Sequence, residues 1–123
     1  MDFKESKSIY VQLADRICED ILQGKLAEDE RIPSVREFGV AMEVNVNTAM
    51  RAYDLLQSQE VIYNRRGIGY FVSKGAAAAI LAVRRKMFVE NELPEIFRQM
   101  DLLGITVDDI ARLYSETLKT SRP

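Results

Sequence analysis

Histidine and tryptophan are absent from this chain, and cysteine occurs once, at position 18. Without imidazole there is no side chain whose ordinary titration straddles neutrality, and the commonest metal ligand is missing. One cysteine makes no internal disulfide and no zinc cluster. Most metal and proton-transfer chemistry is thereby excluded, and no cofactor or metal is expected. Long apolar runs are missing as well. The longest uncharged stretch, Gly75 to Val83, is far short of a bilayer span, and the N-terminal Met1-Asp2-Phe3-Lys4-Glu5 carries charge where a signal peptide needs an apolar core. The expectation is a cytoplasmic protein without membrane contact.

An excess of positive charge is also lacking: 17 basic against 19 acidic residues give a formal net charge of −2. That argues mildly against nucleic acid, since phosphate neutralisation normally supplies most of the non-specific affinity. The balance is local, however. Between Ser34 and Lys74, Arg36, Arg51, Arg65, Arg66 and Lys74 outnumber Glu37, Glu43, Asp54 and Glu60, leaving this segment near +1. What the chain has in quantity is apolar surface, 47% of its residues, enough to offset the entropy of ordering them. At 123 residues there is room for one compact domain and a short appendage, but not for a second large ligand-binding domain.

Apolar spacing places the elements. Tyr10, Leu13, Ile17 and Ile21, flanked by Ala14, Cys18 and Leu22, follow the helical period and predict a first helix from about Ile9 to Gln23, ending at Gly24. Cys18 on that face reads as core, not as a nucleophile. Pro33 bars helix continuation, and Ser34 with Glu37 forms an S-x-x-E capping box opening a short helix, Val35 to Met42, with Val35, Phe38 and Met42 inward. Asn45 caps a third helix, Val46 to Ser58, whose inward stripe is Ala49, Ala52, Tyr53 and Leu56. Some three residues between these two helices force a helix-turn-helix corner. Two β-prone runs, Val61-Ile62-Tyr63-Asn64 and Tyr70-Phe71-Val72, flank a glycine-containing turn and read as a hairpin. The acidic Glu28-Asp29-Glu30 reads as a solvated turn.

After a hinge at Ser73-Lys74-Gly75 the charges balance. Ile80, Val83 and Met87 extend an apolar stripe toward Asn91, and Arg84-Arg85-Lys86 read as a solvated helix face. Pro94 suits a first helical turn, Ile96, Met100 and Leu103 line the next helix to Gly104, and a Thr106–Asp109 capping box opens a last one lined by Ile110, Leu113, Tyr114 and Leu118. Such short helices bury little among themselves, so their surplus apolar face is expected to meet a second copy of the chain. The fold class is therefore mostly α with a small β-hairpin: a winged helix-turn-helix over 1–74 and a helical dimerisation tail over 75–123. An apolar effector could be enclosed by that tail, though no residue pattern specifies one.

The third helix leaves Asn45, Val46, Asn47, Thr48, Met50, Arg51 and Asp54 off the inward stripe. Its amino end is the part of a recognition helix that enters the major groove. Asparagine can pair bidentately with adenine, threonine can bond phosphate or touch a thymine methyl, and arginine can fork onto guanine or hold phosphate. The residues alone also fit a plain N-cap and a solvated face. Arg65 and Arg66 precede the Gly67-x-Gly69 tip, from which a wing reaches a neighbouring groove. These glycines open no nucleotide-binding loop, because that motif needs a helix next and Tyr70-Phe71-Val72 reads as a strand. Two other classes stay open: a winged helix serving only protein partners, which the acidic composition favours, and a small enzyme built on Cys18.

Taken in order, Tyr-x-Gln-Leu at position 10, Pro-Ser-x-Arg at 33, Asn-Thr at 47 and Arg-x-Gly-x-Gly at 65 resemble the DNA-binding domain of the GntR family of bacterial transcription regulators, over about residues 8 to 73. The short tail is similar to the YtrA-like branch. The resemblance implies a homodimer on a palindromic operator of double-stranded DNA, commonly as a repressor and often of an ABC-transporter operon. Carried over by position, Ser34 and Arg36 fall in the Pro-Ser-x-Arg turn, Asn45, Asn47 and Thr48 on the recognition-helix start, and Arg65, Arg66, Gly67 and Gly69 on the wing. Arg51 is added from its exposure and charge. Departures are visible: Val46 and Met50 stand where many members have arginine, Asp29 and Glu43 stand at turns where glycine is usual, and Gly39 replaces a common alanine at about 1 kcal/mol.

Overall fold

The computed structural model describes residue 3 and residues 7–121. Of the charged N-terminal stretch only Phe3 is among them, and the last two residues of the expected tail lie outside. The elements run α1 (Ile9–Leu22), α2 (Val35–Met42), α3 (Val46–Ser58), β1 (Ile62–Arg65), β2 (Gly69–Val72), α4 (Ala76–Met87), a π-helical segment (Phe88–Glu92), α5 (Leu93–Leu103) and α6 (Val107–Ser121). Contacts divide the chain into two compact units, one running through Val83 and one from Arg84 onward.

The first unit is built around the stripes that periodicity picked out. Leu13, Ala14, Ile17, Cys18 and Ile21 of α1 meet Phe38 of α2, Ala49, Ala52, Tyr53 and Leu56 of α3, and Val61, Ile62 and Val72 around the hairpin. Tyr53, Leu13 and Leu56 are among the fully buried side chains. Both helix starts are capped as their residue types require. The Glu37 amide donates to Ser34 Oγ at 3.1 Å and the Ser34 amide to Glu37 Oε1 at 3.2 Å, while the Asn47 amide donates to Asn45 Oδ1 at 2.8 Å. The corner between α2 and α3 turns on Glu43, in the left-handed region at φ 58°, after which the Val44 amide returns to the Gly39 carbonyl at 2.9 Å. Gly39 is buried there. A Cβ on it would stand 3.3 Å from the Val44 carbonyl oxygen, so the missing side chain lets the corner close.

The hairpin pairs Ile62 with Val72, Tyr63 with Phe71, Asn64 with Tyr70 and Arg65 with Gly69. A third segment, which no alternation in the sequence marks, runs beside β2. The Asp29 amide donates to the Val72 carbonyl, the Val72 amide to Glu30 and the Ile32 amide to Tyr70, all within 3.0 Å. The acidic turn is therefore held and not merely solvated. The Gly75 amide donates to Glu28 Oε1 at 2.7 Å, and Asp29 accepts from the Tyr63 hydroxyl at 3.0 Å with Lys74 3.9 Å away.

These bonds also correct the expected boundary. Ser73-Lys74-Gly75 is tied down, and Ala76 and Ile80, 0% and 2% exposed, belong to the first unit's core. The first unit thus gains most of α4, and Ile80 is withdrawn from the set of dimer-contacting residues because its side chain is already covered within the chain.

In the second unit, the Leu93 amide reaches the Phe88 carbonyl five residues back, the widened spacing of a π-helix. Pro94, which has no amide to donate, follows at once, so one irregular turn joins the helix whose stripe extends toward Asn91 to the helix that Pro94 opens. Gly104, at φ 70°, ends α5, and the Thr106–Asp109 box opens α6 with both of its hydrogen bonds at 3.1 Å or less.

Candidate nucleic-acid interface

The amino end of α3 stands in solvent: Asn45, Val46 and Asn47 are exposed and Thr48 is half-buried. Capping divides the two asparagines. Asn45 Oδ1 accepts the Asn47 amide, which fixes the side chain as a cap and leaves its two N–H donors and one remaining lone pair for a ligand. Asn47 keeps both halves of its amide. It shares a face with Arg51 four residues on, where the helix points away from its buried stripe.

Arg36 is exposed in the first turn of α2. Its neighbour Glu37 is engaged at the helix start: hydrogen bonds from Ser34 hold that carboxyl below its ordinary value, with Arg31 adding a weaker coulombic pull. Ser34 Oγ accepts the Glu37 amide, which leaves its hydroxyl proton and one lone pair to offer a ligand. Behind this turn the Tyr53 hydroxyl donates to the Pro33 carbonyl at 2.6 Å, tying α3 to the entry of α2. Burial raises the Tyr53 phenol well above its ordinary range, so it stays a donor at any working pH.

At the wing, Gly67 takes φ 79° in open space, and the Ile68 amide closes the turn on the Arg65 carbonyl at 2.9 Å. Arg65, Arg66 and Ile68 are exposed at this tip. Gly69 has a different function. At φ 145° its absent Cβ would lie 3.0 Å from Arg31 Nε, so the Arg31 side chain crosses the wing base over bare backbone. Arg31 is a residue that the sequence reading missed; its only signal was a cation two places before Pro33. It connects the wing base to the α2 start, since its charge is felt at Glu37. Arg65 lies over the Phe71 ring at 5.5 Å, and Arg51 over the Tyr10 ring at 4.2 Å.

Among the described residues, Lys7, Arg16, Lys74, Arg98 and Arg112 each pair with a carboxylate. Arg31, Arg36, Arg51, Arg65 and Arg66 make no such pair. Lys25, Arg85, Lys86 and Lys119 make none either, so uncompensated cations occur elsewhere too; the five arginines are the ones that stand on the turn, the third helix and the wing, where they can meet phosphate.

The model of the bacterial regulatory proteins of the gntR family matches residues 9–72, which hold the capped corner, α3 and the wing. The chain belongs to the GntR family. It is 32% identical to the HTH-type transcriptional regulator YhcF of Bacillus subtilis, with 88% of each chain covered. It is 26% identical to the HTH-type transcriptional repressor YtrA of the same organism, over 94% of this chain and 88% of that one. A crystal structure of a GntR-family regulator from Bacteroides thetaiotaomicron superposes with a TM-score of 0.85 at 50% identity, covering 93% of this chain and all of that one. Matches that extend through the tail place this GntR protein in the short, YtrA-like branch. It is a transcriptional regulator with a DNA-binding helix-turn-helix, and its relatives are regulators, not enzymes.

The tail residues of this GntR chain fall into two groups. Met87, Ile96, Leu103, Ile110, Leu113 and Tyr114 are exposed, Val83 and Met100 half-buried. Phe88, Val89, Phe97, Leu102 and Val107 are exposed as well. Stripe counting passed over these five because they sit beside the chosen positions or in the π-helical segment. No residue of α5 is buried.

Proposed function

We propose that this GntR regulator is a homodimeric repressor that binds a palindromic operator. Ser34, Arg36, Asn45, Asn47, Thr48, Arg51, Arg65, Arg66, Gly67 and Gly69 form its DNA surface, to which Arg31 is added. The observation that carries this reading is the set of arginines without carboxylate partners around an exposed, capped α3 start. In this reading Asn47 reaches base edges from the amino end of α3, Asn45 caps and donates, and Arg36 holds the flank. Arg65 and Arg66 extend from the wing into the neighbouring groove. Two recognition helices then occupy successive major grooves about 34 Å apart.

Dimerisation is argued from the tail. Helices with no buried residue cannot offset their own ordering entropy, so α5 and α6 need a cover, and a second copy supplies a matching apolar face. A repressor's role agrees with that of the Bacillus subtilis relative, and the YtrA-like branch points to an ABC-transporter operon as the target. A bound dimer would act by occluding the promoter. Among the described residues no helix is long and apolar enough to cross a membrane, and the protein is proposed to work in the cytoplasm.

The test is Arg36→Ala, assayed on operator DNA recovered by selection. A loss of about 1–3 kcal/mol confined to the selected sequence is expected if Arg36 forks onto guanine, and a smaller, sequence-independent loss if it holds phosphate. Unchanged affinity on every duplex would remove Arg36 from the surface.

A further inference from the structure

Arg51 has a carboxylate within helical reach, Asp54 three residues on, yet its guanidinium lies on the face of Tyr10, 4.2 Å from the ring centroid. That choice has a chemical consequence. A salt bridge to Asp54 would neutralise the charge and occupy N–H donors. A guanidinium held over an aromatic ring keeps its charge and spends none of its N–H donors on a carboxylate. The platform is anchored: Tyr10 lies in the first turn of α1, and its half-buried ring packs against the hydrophobic core. The pair therefore joins two helices, and it holds a long, rotamer-rich side chain beside Asn47 on the outward face of α3.

From this geometry we infer that Tyr10 is a positioning residue for DNA binding, presenting the Arg51 guanidinium to an acceptor oxygen or nitrogen of the duplex. Tyr10 contacts no DNA in this account; it removes in advance the freedom that Arg51 would otherwise lose on binding. The inference rests on the DNA-binding reading proposed above. It extends that reading to a helix that had been assigned only to the core.

The test is a double-mutant cycle on full-length protein with the duplex that wild type selects from random DNA. Ordering one long side chain costs on the order of threefold in binding, so Tyr10→Leu should weaken the two-half-site complex about tenfold. Tyr10→Phe keeps the ring and should bind like wild type. Arg51→Ala should weaken binding further, and adding Tyr10→Leu to it should change nothing more, because the ring acts only through the arginine. Thermal unfolding of each variant confirms that the fold persists at the assay temperature. If Arg51 meets phosphate, its loss lowers the salt slope by about one per half-site on any sequence; if it meets guanine, the loss is confined to the selected duplex. Either pattern supports the inference.

A merely structural ring gives a different result. Tyr10→Leu then lowers the unfolding temperature and leaves affinity unchanged, or its loss of affinity persists in full beside Arg51→Ala. Either outcome overturns the positioning role while DNA binding stands. Retention of no duplex by wild type, even at low salt, overturns both readings.

Discussion

Three acidic side chains, Asp29, Glu43 and Glu60, adopt φ near +60°, a region that costs an L-residue about 1 kcal/mol or more. Their environments separate them. Glu43 caps α2 and makes no hydrogen bond or ion pair through its side chain among the described residues. Glu43→Gly is therefore expected to raise stability by about 0.5–1 kcal/mol in denaturant unfolding. Asp29 offsets its strain by accepting the Tyr63 hydroxyl. Asp29→Gly should gain little or nothing, and a gain equal to that of Glu43→Gly would show that the Tyr63 contact contributes no stability. Tyr53→Phe removes the bond from a buried phenol to the Pro33 carbonyl and should cost about 1–2 kcal/mol. An unchanged unfolding midpoint would mean that water replaces the hydroxyl.

At the scale of elements, two capping boxes start α2 and α6, and in each the carboxyl is held below its ordinary value by hydrogen bonds from the cap residue, Ser34 for Glu37 and Thr106 for Asp109. A carboxyl lowered in the folded state stabilises above its unfolded value and loses that contribution as pH falls through the folded one. The unfolding midpoint should thus stay level from neutrality down to the ordinary carboxylate range and decline below it. Glu37→Gln keeps an acceptor without the charge and should decline less steeply; an identical slope would exclude Glu37 from the effect. The tail makes a separate prediction. Leu103 is 71% exposed, so Leu103→Glu leaves intrachain packing intact. Sedimentation should show a monomer, with palindrome affinity reduced about a hundredfold or more as the avidity of two half-sites is lost. A variant that stays dimeric would move the interface elsewhere.

At the scale of the whole molecule, what could be read from the sequence was what local chemistry determines. Pro33, the Ser34–Glu37 box and the Asn45 cap marked α2 and α3 to the residue, and the glycines around Ile68 placed the wing. Contacts between distant segments were not legible. Nothing local sets Arg31 over Gly69, pairs residues 29–32 with β2, or stacks Arg51 on a tyrosine that periodicity assigns to the core. The boundary at Gly75 failed for the same reason: Ala76 and Ile80 follow a glycine, as a new unit would, but their side chains complete the first unit's core. The π-helical turn before Pro94 likewise depends on a backbone choice that apolar spacing does not record.

The central claim, that a near-neutral chain binds a specific duplex through arginines left without carboxylate partners, is tested most directly by selection. The full-length protein would be incubated with random duplex DNA and the retained sequences recovered. Affinity for the enriched duplex would then be measured as a function of salt. The account predicts a palindrome with half-sites about ten base pairs apart and an affinity that falls steeply as salt rises. No enrichment at low salt, or retention indifferent to salt, would contradict it and favour a winged helix that serves protein partners alone.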